Sequence, residues 1–341
     1  MITVKLGSGE ITQESCPYII SEIGANHNGD LALAKTMVDK CIDLGCDCAK
    51  FQAFTVESCC STTVYENNPG LKEDVCRYSL DRDDLIELAR YCAEKKIDFC
   101  CTPENEVELD FLIEKCGMKF IKIASQDVTS IPFLKYIASK KLPMILSTGL
   151  AKLAEIENAV EILTENGNDQ LVILHCVSLY PPEDAEVNLK NISMLKSLFD
   201  FPIGYSDHTL GYSIPLAAAA MGASVIEKHF TMDKDMEGWD HAVSANPEEL
   251  KIIVEETKRI HTALGSYKRV VSEREKKQIV DFKKSVVLRT PLKKGEIVTI
   301  ENIDFKRPQT GIKPEYLELV IGRAAAKDID ADRPVNFEDL R

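Results

Sequence analysis

The chain has 341 residues, of which 45% are hydrophobic and 28% are charged, and its formal net charge is -14. This composition is typical of a globular protein with room for one large domain and a second, small one. The acidic balance argues against nucleic acid or an anionic membrane as a partner, because both attract basic surfaces. No apolar run approaches the ~18 residues of a membrane span, and the polar N-terminus lacks a signal core. We therefore expect a cytoplasmic protein.

The 12 cysteines do not form the pattern of a disulfide-rich secreted domain. Most lie in apolar runs, as Cys41, Cys92 and Cys176 do, and no C-x-x-C pair is present. We expect buried, reduced thiols that behave as small hydrophobic residues.

Strand-like and helix-like segments alternate up to about Tyr267. A hairpin over residues 2–13 precedes eight apolar runs that are typical of buried parallel strands. These predicted strands cover residues 17–24, 46–52, 97–102, 119–125, 143–149, 171–178, 201–208 and 223–230. Apolar periodicity predicts helices over residues 31–45, 83–96, 104–116, 131–140, 153–166, 214–221 and 247–264. Asp30 and Asn246 are predicted helix caps, and residues 55–79 are predicted to form a long polar loop.

Eight strand-then-helix units over roughly 250 residues predict a (β/α)8 TIM barrel, which is an α/β fold. The competing doubly wound sheet needs fewer strands and usually a glycine-rich phosphate loop, and the sequence has neither G-x-G-x-x-G nor a P-loop. The predicted domains are a barrel over residues 1–270, a charged linker over residues 271–284 and a small β-rich domain over residues 285–341.

Polar side chains gather at the C-terminal ends of all eight predicted strands, where TIM barrels carry their active sites. In chain order these ends contribute Glu22, Asn26, Lys50, Gln52, Thr102, Lys122, Ser125, Ser147, Thr148, His175, Ser178, Ser206, Asp207, His208, Glu227 and His229. One end of the barrel is therefore predicted to hold the functional site.

Lys50 and Lys122 lie inside predicted buried strands, where a lysine needs a partner. One interpretation is a structural ion pair with Glu22 or Glu227. The other is a bound phosphate or carboxylate, held by the two ammonium groups together with nearby hydroxyl groups. Those hydroxyl groups belong to Thr102, Ser125, Ser147 and Ser206.

Two histidines, His208 and His229, end neighbouring predicted strands. Together they predict a divalent metal site with oxygen ligands and open positions, which suits a Lewis acid such as Mn, Mg, Fe or Zn. Glu22 is a candidate third ligand or a general base, and Asp207 and Glu227 are candidates for orienting the ligands.

Two more sites carry histidines. His175 lies at a strand end without a partner in the sequence, so its role stays open. Asp240 and His241 lie in the loop after the eighth strand and are predicted to contact a substrate.

Several segments together resemble the sialic acid synthase family, which comprises N-acetylneuraminate synthase and related nonulosonate synthases. These segments are SEIGANHNGD, KFQ, CTPENE, IKIAS, LSTG, YPPED, GYSDHTLG and IEKHFTMDKDMEGWDH. The resemblance runs from about Tyr18 to Asp240, and FKRPQTG and IGRAAAKDI resemble the C-terminal antifreeze-like (SAF) domain of that family.

The resemblance implies a metal-dependent condensation of phosphoenolpyruvate with the open-chain aldehyde of an N-acylated hexose, such as N-acetylmannosamine, to give a nonulosonate and phosphate. His208 and His229 would bind Mn or Mg, and Glu22 would manage the water that attacks C2. Phosphoenolpyruvate would be held by Lys50, Thr102, Lys122, Ser125, Ser147 and Ser206. The sugar would contact Gln52, Ser178, Tyr180 and Asp240.

A domain-swapped homodimer is also implied, in which Arg307 reaches the sugar site of the other subunit. The loop asparagine of the family corresponds to Asn67 or Asn68. Three positions depart from the family pattern, namely Ser178 in place of asparagine, Asp127 in place of glutamate and Trp239 in place of proline. They leave the acceptor open, so a legionaminic or pseudaminic acid synthase acting on a 2,4-diacetamido-6-deoxy hexose is the alternative.

Two functions of other classes are the rivals. A metal-dependent aldolase or hydrolase could use the same barrel, although an amidohydrolase would carry H-x-H at the first strand, where this chain has Asn26, His27 and Asn28. A ligand- or ice-binding role of the C-terminal domain would leave the strand-end lysines and histidines unexplained.

Overall fold

The structure is a computed structural model that describes residues 2–165 and 167–341. The chain divides into two compact units, Met1–Gly265 and Ser266–Arg341, each with its own hydrophobic core. Within the described ranges, no helix is long and apolar enough to cross a membrane.

The first unit is built on an eight-stranded parallel sheet that nearly closes into a barrel. A hairpin of β1 (Val4–Leu6) and β2 (Gly9–Ile11) precedes it. The barrel strands are β3 (Tyr18–Gly24), β4 (Cys48–Ala53), β5 (Asp98–Pro103), β6 (Ile121–Ile123), β7 (Met144–Ser147), β8 (Leu171–Cys176), β9 (Ile203–Asp207) and β10 (Val225–His229). Their order is β5-β4-β3-β10-β9-β8-β7-β6, and the end strands β5 and β6 lie side by side. This arrangement confirms the predicted TIM barrel.

Helices connect successive barrel strands of the first unit, and a last helix follows β10. They are α1 (Leu31–Leu44), α2 (Val56–Cys59), α3 (Thr62–Asn67), α4 (Pro69–Tyr78), α5 (Arg82–Lys95), α6 (Glu106–Glu114), α7 (Ile131–Ser139), α8 (Leu153–Thr164), α9 (Asp184–Val187), α10 (Lys190–Leu198), α11 (Ser213–Ala220) and α12 (Pro247–Leu264). Both predicted caps are confirmed, because the side chains of Asp30 and Asn246 accept hydrogen bonds from backbone amides in the first turns of α1 and α12. The predicted helix end at Asn166 lies outside the described residues.

Residues 55–79 are largely helical, so the prediction of a polar loop is wrong. Thr55 caps α2 by accepting a hydrogen bond from the amide of Ser58 at 3.2 Å. Pro69 is the first residue of α4, a position at which a backbone N–H would make no hydrogen bond within the helix, so proline is tolerated there. The segment is anchored by an apolar cluster of Ala25, Phe54, Tyr65, Val75 and Tyr78. Helices as short as α2 and α3 have no readable apolar period, and this is why the sequence pattern missed them.

The cysteines contribute to the core of the first unit. All 12 are free, and Cys41, Cys48 and Cys100 are among those that are buried. Burial raises the pKa of Cys100 to about 12, which keeps the thiol protonated. The thiols are unbridged as predicted, but only six of them are buried like small hydrophobic residues, and Cys76 is exposed.

The second unit starts with two short helices, α13 (Glu273–Lys277) and α14 (Ile279–Phe282). Strand β11 (Ser285–Leu288) then pairs in antiparallel fashion with β12 (Ile303–Lys306). The remaining segments are held by isolated bridges and pack around Val286, Val298, Val320 and Val335. This is a small β-rich fold, as predicted for the C-terminal part.

Candidate active site

A cavity of about 420 Å³ opens at the C-terminal ends of the barrel strands. All eight strands contribute to its wall, because strands joined by crossover helices run parallel and end on the same side. Apart from His241, the wall includes the barrel residues to which the sequence assigns a substrate or metal contact: Glu22, Lys50, Gln52, Thr102, Lys122, Ser125, Ser147, Ser178, Tyr180, Ser206, His208, His229 and Asp240. The structure therefore brings these residues together, and their individual roles stay predictions.

Two lysines and two glutamates form a chain of buried charges in this wall. Lys50 Nζ lies 2.7 Å from Glu22 Oε2 and 3.8 Å from Glu227 Oε1, and Lys122 Nζ lies 3.5 Å from the same Glu227 oxygen. Burial acts to lower the pKa of Lys50, but the carboxylates of Glu22 and Glu227 outweigh it and raise the pKa above its ordinary value. Burial likewise acts to raise the pKa of Glu227, and Lys122 and Lys50 hold it below its ordinary value.

The four charges of this cluster balance one another. Hydroxyl groups complete the cluster: Lys50 donates to Thr102 Oγ1 at 3.1 Å, and Lys122 donates to Ser147 Oγ at 2.8 Å. The structural ion pairs expected for Lys50 and Lys122 are thus present. Both lysines also line the cavity, as binding of a phosphate or carboxylate would require. Because both ammonium groups are already neutralised, a multiply charged anion entering this cavity needs further positive charge.

Glu22 is held in one orientation by two neighbours. Its Oε1 accepts a hydrogen bond from Gln52 Nε2 at 2.8 Å, and its Oε2 faces Lys50. The side chain is 1% exposed although it lines the cavity. A carboxylate fixed in this way can hold a proton at a defined position.

Serine hydroxyl groups also line the wall. Ser125 Oγ accepts a hydrogen bond from the amide of Gly149 at 3.0 Å, and Ser206 Oγ donates to Glu227 Oε1 at 3.1 Å. A β-carbon on Gly149 would lie 2.2 Å from Ser178 Oγ and 2.9 Å from Ser125 Oγ. The loop after β7 therefore needs glycine for the two serines to approach its backbone.

The two predicted metal ligands lie side by side at the ends of β9 and β10. The ring centroids of His208 and His229 are 5.4 Å apart, and Tyr180 stacks on His208 with a centroid distance of 4.1 Å. His208 Nδ1 donates to the carbonyl of Val177 at 2.8 Å, which leaves Nε2 with a free lone pair. Burial, reinforced by the neighbouring His229, lowers the pKa of His208 to about 3, so its imidazole is neutral near pH 7.

These histidines fit a divalent cation by the chemistry of their donor atoms. His229 Nδ1 is buried without a hydrogen-bond partner and lies 3.5 Å from Asp240 Oδ2. Over residues 2–165 and 167–341, no three or more His, Cys, Asp or Glu side chains are grouped as a complete metal site. Two imidazoles beside cavity carboxylates suit a cation whose other positions go to water or substrate oxygen atoms.

His175 and His241 lie away from this cavity wall. His175 Nε2 is 2.7 Å from the carbonyl of Val187, and its ring lines a different, mostly apolar cavity of about 480 Å³. His241 was predicted to contact substrate, but it is fully buried and bound to Thr231 Oγ1 and Asn28 Oδ1 at 2.6 Å and 3.2 Å. It ties the loops after β3 and β10 together.

Glu104 and Gln126 also line the cavity, and neither was predicted from the sequence. Gln126 Nε2 donates to Glu104 Oε2 at 2.8 Å. Burial, with the nearby carboxylates of Asp127 and Glu108, raises the pKa of Glu104 to about 7. Glu104 directly follows Pro103, the last residue of β5. This position at a strand end is the sequence feature from which a cavity contact of Glu104 could have been predicted.

Arg307 follows β12 in the second unit, where its guanidinium lies 5.1 Å from the ring centroid of Phe282. Its predicted reach to a sugar site of another subunit stays a prediction. Asn67 ends α3 and Asn68 precedes α4, and the choice between them as the loop asparagine also stays open.

A sequence profile described as NeuB family matches residues 37–269, which is more than half of the chain. The chain belongs to the NeuB family. A second profile, described as SAF domain, matches residues 283–341 and accounts for the small β-rich unit.

Named relatives of this NeuB-family chain make nonulosonic acids. It is 40% identical over 325 residues to N,N'-diacetyllegionaminic acid synthase of Campylobacter jejuni, covering 92% of this chain and 97% of the relative. It is 33% identical to N-acetylneuraminate-9-phosphate synthase of Homo sapiens, with coverages of 96% and 93%. A sialic acid synthetase structure from Leptospira borgpetersenii, in complex with citrate, superposes with a TM-score of 0.75 at 38% identity, covering 82% and 95%. The resemblance to sialic acid synthases is therefore confirmed.

Glu104→Gln should flatten the pH dependence of the unfolding free energy of this NeuB-family chain between about pH 4.5 and pH 7. The folded pKa of about 7 lies above the ordinary value of 4.5, so the folded state keeps a proton that the unfolded state releases. The stability linked to this proton is complete below the ordinary value and is lost as pH rises through 7. The loss should be on the order of 2 kcal/mol, measured by urea unfolding over a pH series.

Gln126→Ala is the matched control for that measurement, because it removes the neighbouring amide and leaves the Glu104 carboxyl able to titrate. We expect this variant to keep the slope and to extend it above pH 7, because the hydrogen bond from Gln126 acts to lower the pKa of Glu104. Equal slopes for wild type and Glu104→Gln would show that the carboxyl does not titrate in this range.

Proposed function

We propose that the chain condenses phosphoenolpyruvate with the open-chain aldehyde of an N-acylated sugar and releases a sialic-acid-type nonulosonate and phosphate. The proposal is carried by one cavity, in whose wall two lysines and several hydroxyl groups lie together with two histidines. Support also comes from relatives that are named as synthases of legionaminic acid and N-acetylneuraminate 9-phosphate.

Phosphoenolpyruvate would bind against the buried charge cluster. The ammonium groups of Lys50 and Lys122 would contact its carboxylate and phosphate oxygens, as lysines do in other anion sites. The hydroxyl groups that would complete the site are those of Thr102, Ser125, Ser147 and Ser206. Both lysines would keep their ion pairs with Glu22 and Glu227 when the anion binds. Their ammonium groups would therefore already be in position before binding.

The bond changes follow from this placement. C3 of phosphoenolpyruvate forms a bond to the aldehyde carbon, whose oxygen becomes a hydroxyl after taking up a proton, and positive charge develops at C2. Water adds to C2, and Glu22 takes the proton that this water loses. The C–O bond between C2 and the phosphate oxygen then breaks, the C2 hydroxyl passes its proton to the departing phosphate, and a ketone remains. The carboxylates of Glu22 and Glu227 stabilise the positive charge at C2 electrostatically.

His208 and His229 would hold a divalent cation, Mn or Mg, with solvent or substrate oxygens in its remaining positions. When bound, such a cation supplies Lewis-acid charge to the aldehyde oxygen. It would also supply the positive charge that a multiply charged anion needs beside the neutral Lys–Glu cluster. Tyr180 packs on His208 and keeps that imidazole in place.

The acceptor sugar would contact Gln52, Ser178, Tyr180 and Asp240 at the open side of the cavity. A 2,4-diacetamido-6-deoxy hexose is the second candidate acceptor beside N-acetylmannosamine. It is favoured by the 40% identity to a legionaminic acid synthase against 33% to the human N-acetylneuraminate-9-phosphate synthase. A metal-dependent aldolase is the remaining rival, and it would release no phosphate.

The proposed reaction predicts acceptor-dependent release of phosphate from phosphoenolpyruvate. Purified protein would be given Mn, phosphoenolpyruvate and one acceptor of a panel: N-acetylmannosamine, its 6-phosphate, or a 2,4-diacetamido-6-deoxy hexose. We expect one acceptor to give phosphate and an equal amount of the nonulosonate, detected by mass spectrometry. Glu22→Gln should lower kcat by about 100-fold or more, because the proton acceptor at C2 is lost. A new C–C bond without phosphate release would identify an aldolase instead.

Metal removal should abolish turnover. Protein stripped with EDTA should regain activity when Mn is added, whereas His208→Ala and His229→Ala should stay at least about 100-fold below wild type in kcat/KM. His261→Ala, on the outer helix α12, is the control and should respond to Mn as wild type does. Full activity in EDTA would disprove the metal role.

The proposed role of Arg307 in a domain-swapped homodimer predicts complementation between two inactive variants. Arg307→Ala and Glu22→Gln should each be weakly active alone, because each lacks one part of every site. Refolding or co-expressing them together should restore activity in mixed dimers, in which one barrel with Glu22 receives Arg307 from the other subunit. Absence of complementation, with dimers confirmed by light scattering, would place Arg307 in its own subunit's site or outside the site.

A further inference from the structure

Lys228 and Asp207 form an ion pair that is completely buried on the outer side of the barrel wall. Lys228 Nζ lies 2.6 Å from Asp207 Oδ2, and both side chains are 0% exposed. Strand side chains alternate between two faces, so Lys228 points away from the cavity that its neighbours Glu227 and His229 line. The pair therefore cannot touch a substrate in that cavity.

Asp207 is the centre of a small hydrogen-bond network. Its carboxylate accepts from Tyr205 Oη at 2.9 Å, from the amide of Thr209 at 3.1 Å and from Thr209 Oγ1 at 2.9 Å. Lys228 Nζ also donates to the carbonyl of Thr209. The backbone is thus fixed on both sides of His208, at residue 207 and at residue 209.

The same network reaches His229 through the sheet. Lys228 immediately precedes His229, and Lys228 and Asp207 are register partners between β10 and β9. One contact therefore joins the two residues that directly precede His208 and His229. The imidazoles of His208 and His229 project into the cavity, and the side chains of Asp207 and Lys228 project to the other face of the sheet. A fixed contact between Asp207 and Lys228 therefore fixes the distance between the two imidazole rings.

Stability alone is a weak reason for such a pair. Moving two charges out of water costs more than their attraction returns in many proteins, and apolar replacements of similar size are often as stable or more stable. A buried pair placed directly behind two cavity histidines has a second use, because its short, directional contacts allow little movement of the strand ends.

We propose that the pair of Lys228 and Asp207 is a positioning device that sets the spacing of His208 and His229 for a divalent cation. The inference rests on the proposed metal role of these histidines. Lys228 and Asp207 act through the backbone and through Thr209, without contact with cation or substrate.

Binding of Mn²⁺ alone to the full chain, measured by calorimetry after EDTA treatment, tests this inference without an activity assay. Lys228→Met should weaken Mn²⁺ binding by about 10- to 100-fold, the range seen when groups that orient metal ligands are removed. It should also lower the denaturation midpoint, because Asp207 is left as a buried unpaired charge. The double variant Asp207→Asn with Lys228→Met removes both charges, and its midpoint should return towards wild type while Mn²⁺ binding stays weak.

Leu163→Ala is the matched control for general destabilisation. Leu163 is fully buried on α8 and contributes no atom to the cavity wall. Its loss should lower the denaturation midpoint and leave the Mn²⁺ affinity unchanged. Tyr205→Phe serves if Lys228→Met does not fold, since it removes a single hydrogen bond to Asp207 and should weaken Mn²⁺ binding several-fold.

The outcomes separate this inference from the proposed function. Mn²⁺ affinity that recovers together with stability in the double variant, or that is unchanged in the folded Lys228 and Tyr205 variants, overturns the positioning role. Wild-type protein that does not bind Mn²⁺, or that binds it equally well after His208→Ala, overturns the metal role itself, and the inference falls with it.

Discussion

The ion pairs among Glu22, Lys50, Glu227 and Lys122 are the constraint on which the cavity depends. Charges this deeply buried are tolerated only when each has a partner within a few ångströms. Four different strands supply them, so β3, β4, β6 and β10 must end at the same level for the pairs to form. The cluster therefore links the closure of the barrel to the chemistry at its open end, and its own four charges balance before any anion binds.

The site could be predicted from the sequence because the C-terminal ends of parallel barrel strands all lie on the same side of the barrel. In the strand of residues 46–52, Lys50 follows Cys48 and Ala49, and in the strand of residues 223–230 Glu227 follows Val225 and Ile226, so each marks where a strand meets the cavity. With eight strands ending on one side, residues far apart in the chain had to converge. The glutamate partners of Lys50 and Lys122 were also predictable, since a barrel centre offers no water to solvate a lone ammonium group.

Other features depend on information that a single strand does not carry. Lys228 lies between Glu227 and His229, and nothing in the sequence says which face of β10 meets the cavity and which meets the helices. His241 has the polar surroundings of a contact residue, but its ring is taken up by Thr231 and Asn28 from other loops. The helices over residues 56–78 are stabilised by tertiary packing around Phe54 and Ala25 and not by their own periodicity. In each case the deciding interaction joins segments that are distant in the chain.

The rim of the cavity is built differently from its base, and this difference bears on the acceptor. Trp239, next to the cavity residue Asp240, packs on Phe54 and Tyr78 at centroid distances of 5.5 Å and 5.2 Å. The loop at Trp239 is thus held by contacts between aromatic rings. The base consists of strand residues that are joined by buried ion pairs. Loops change with little cost to the fold, but a change in the charge cluster leaves a buried ion unpaired. Under the proposed function, a change of acceptor would therefore be expected to arise in the loop around Trp239, because changes there leave the charge cluster at the base intact.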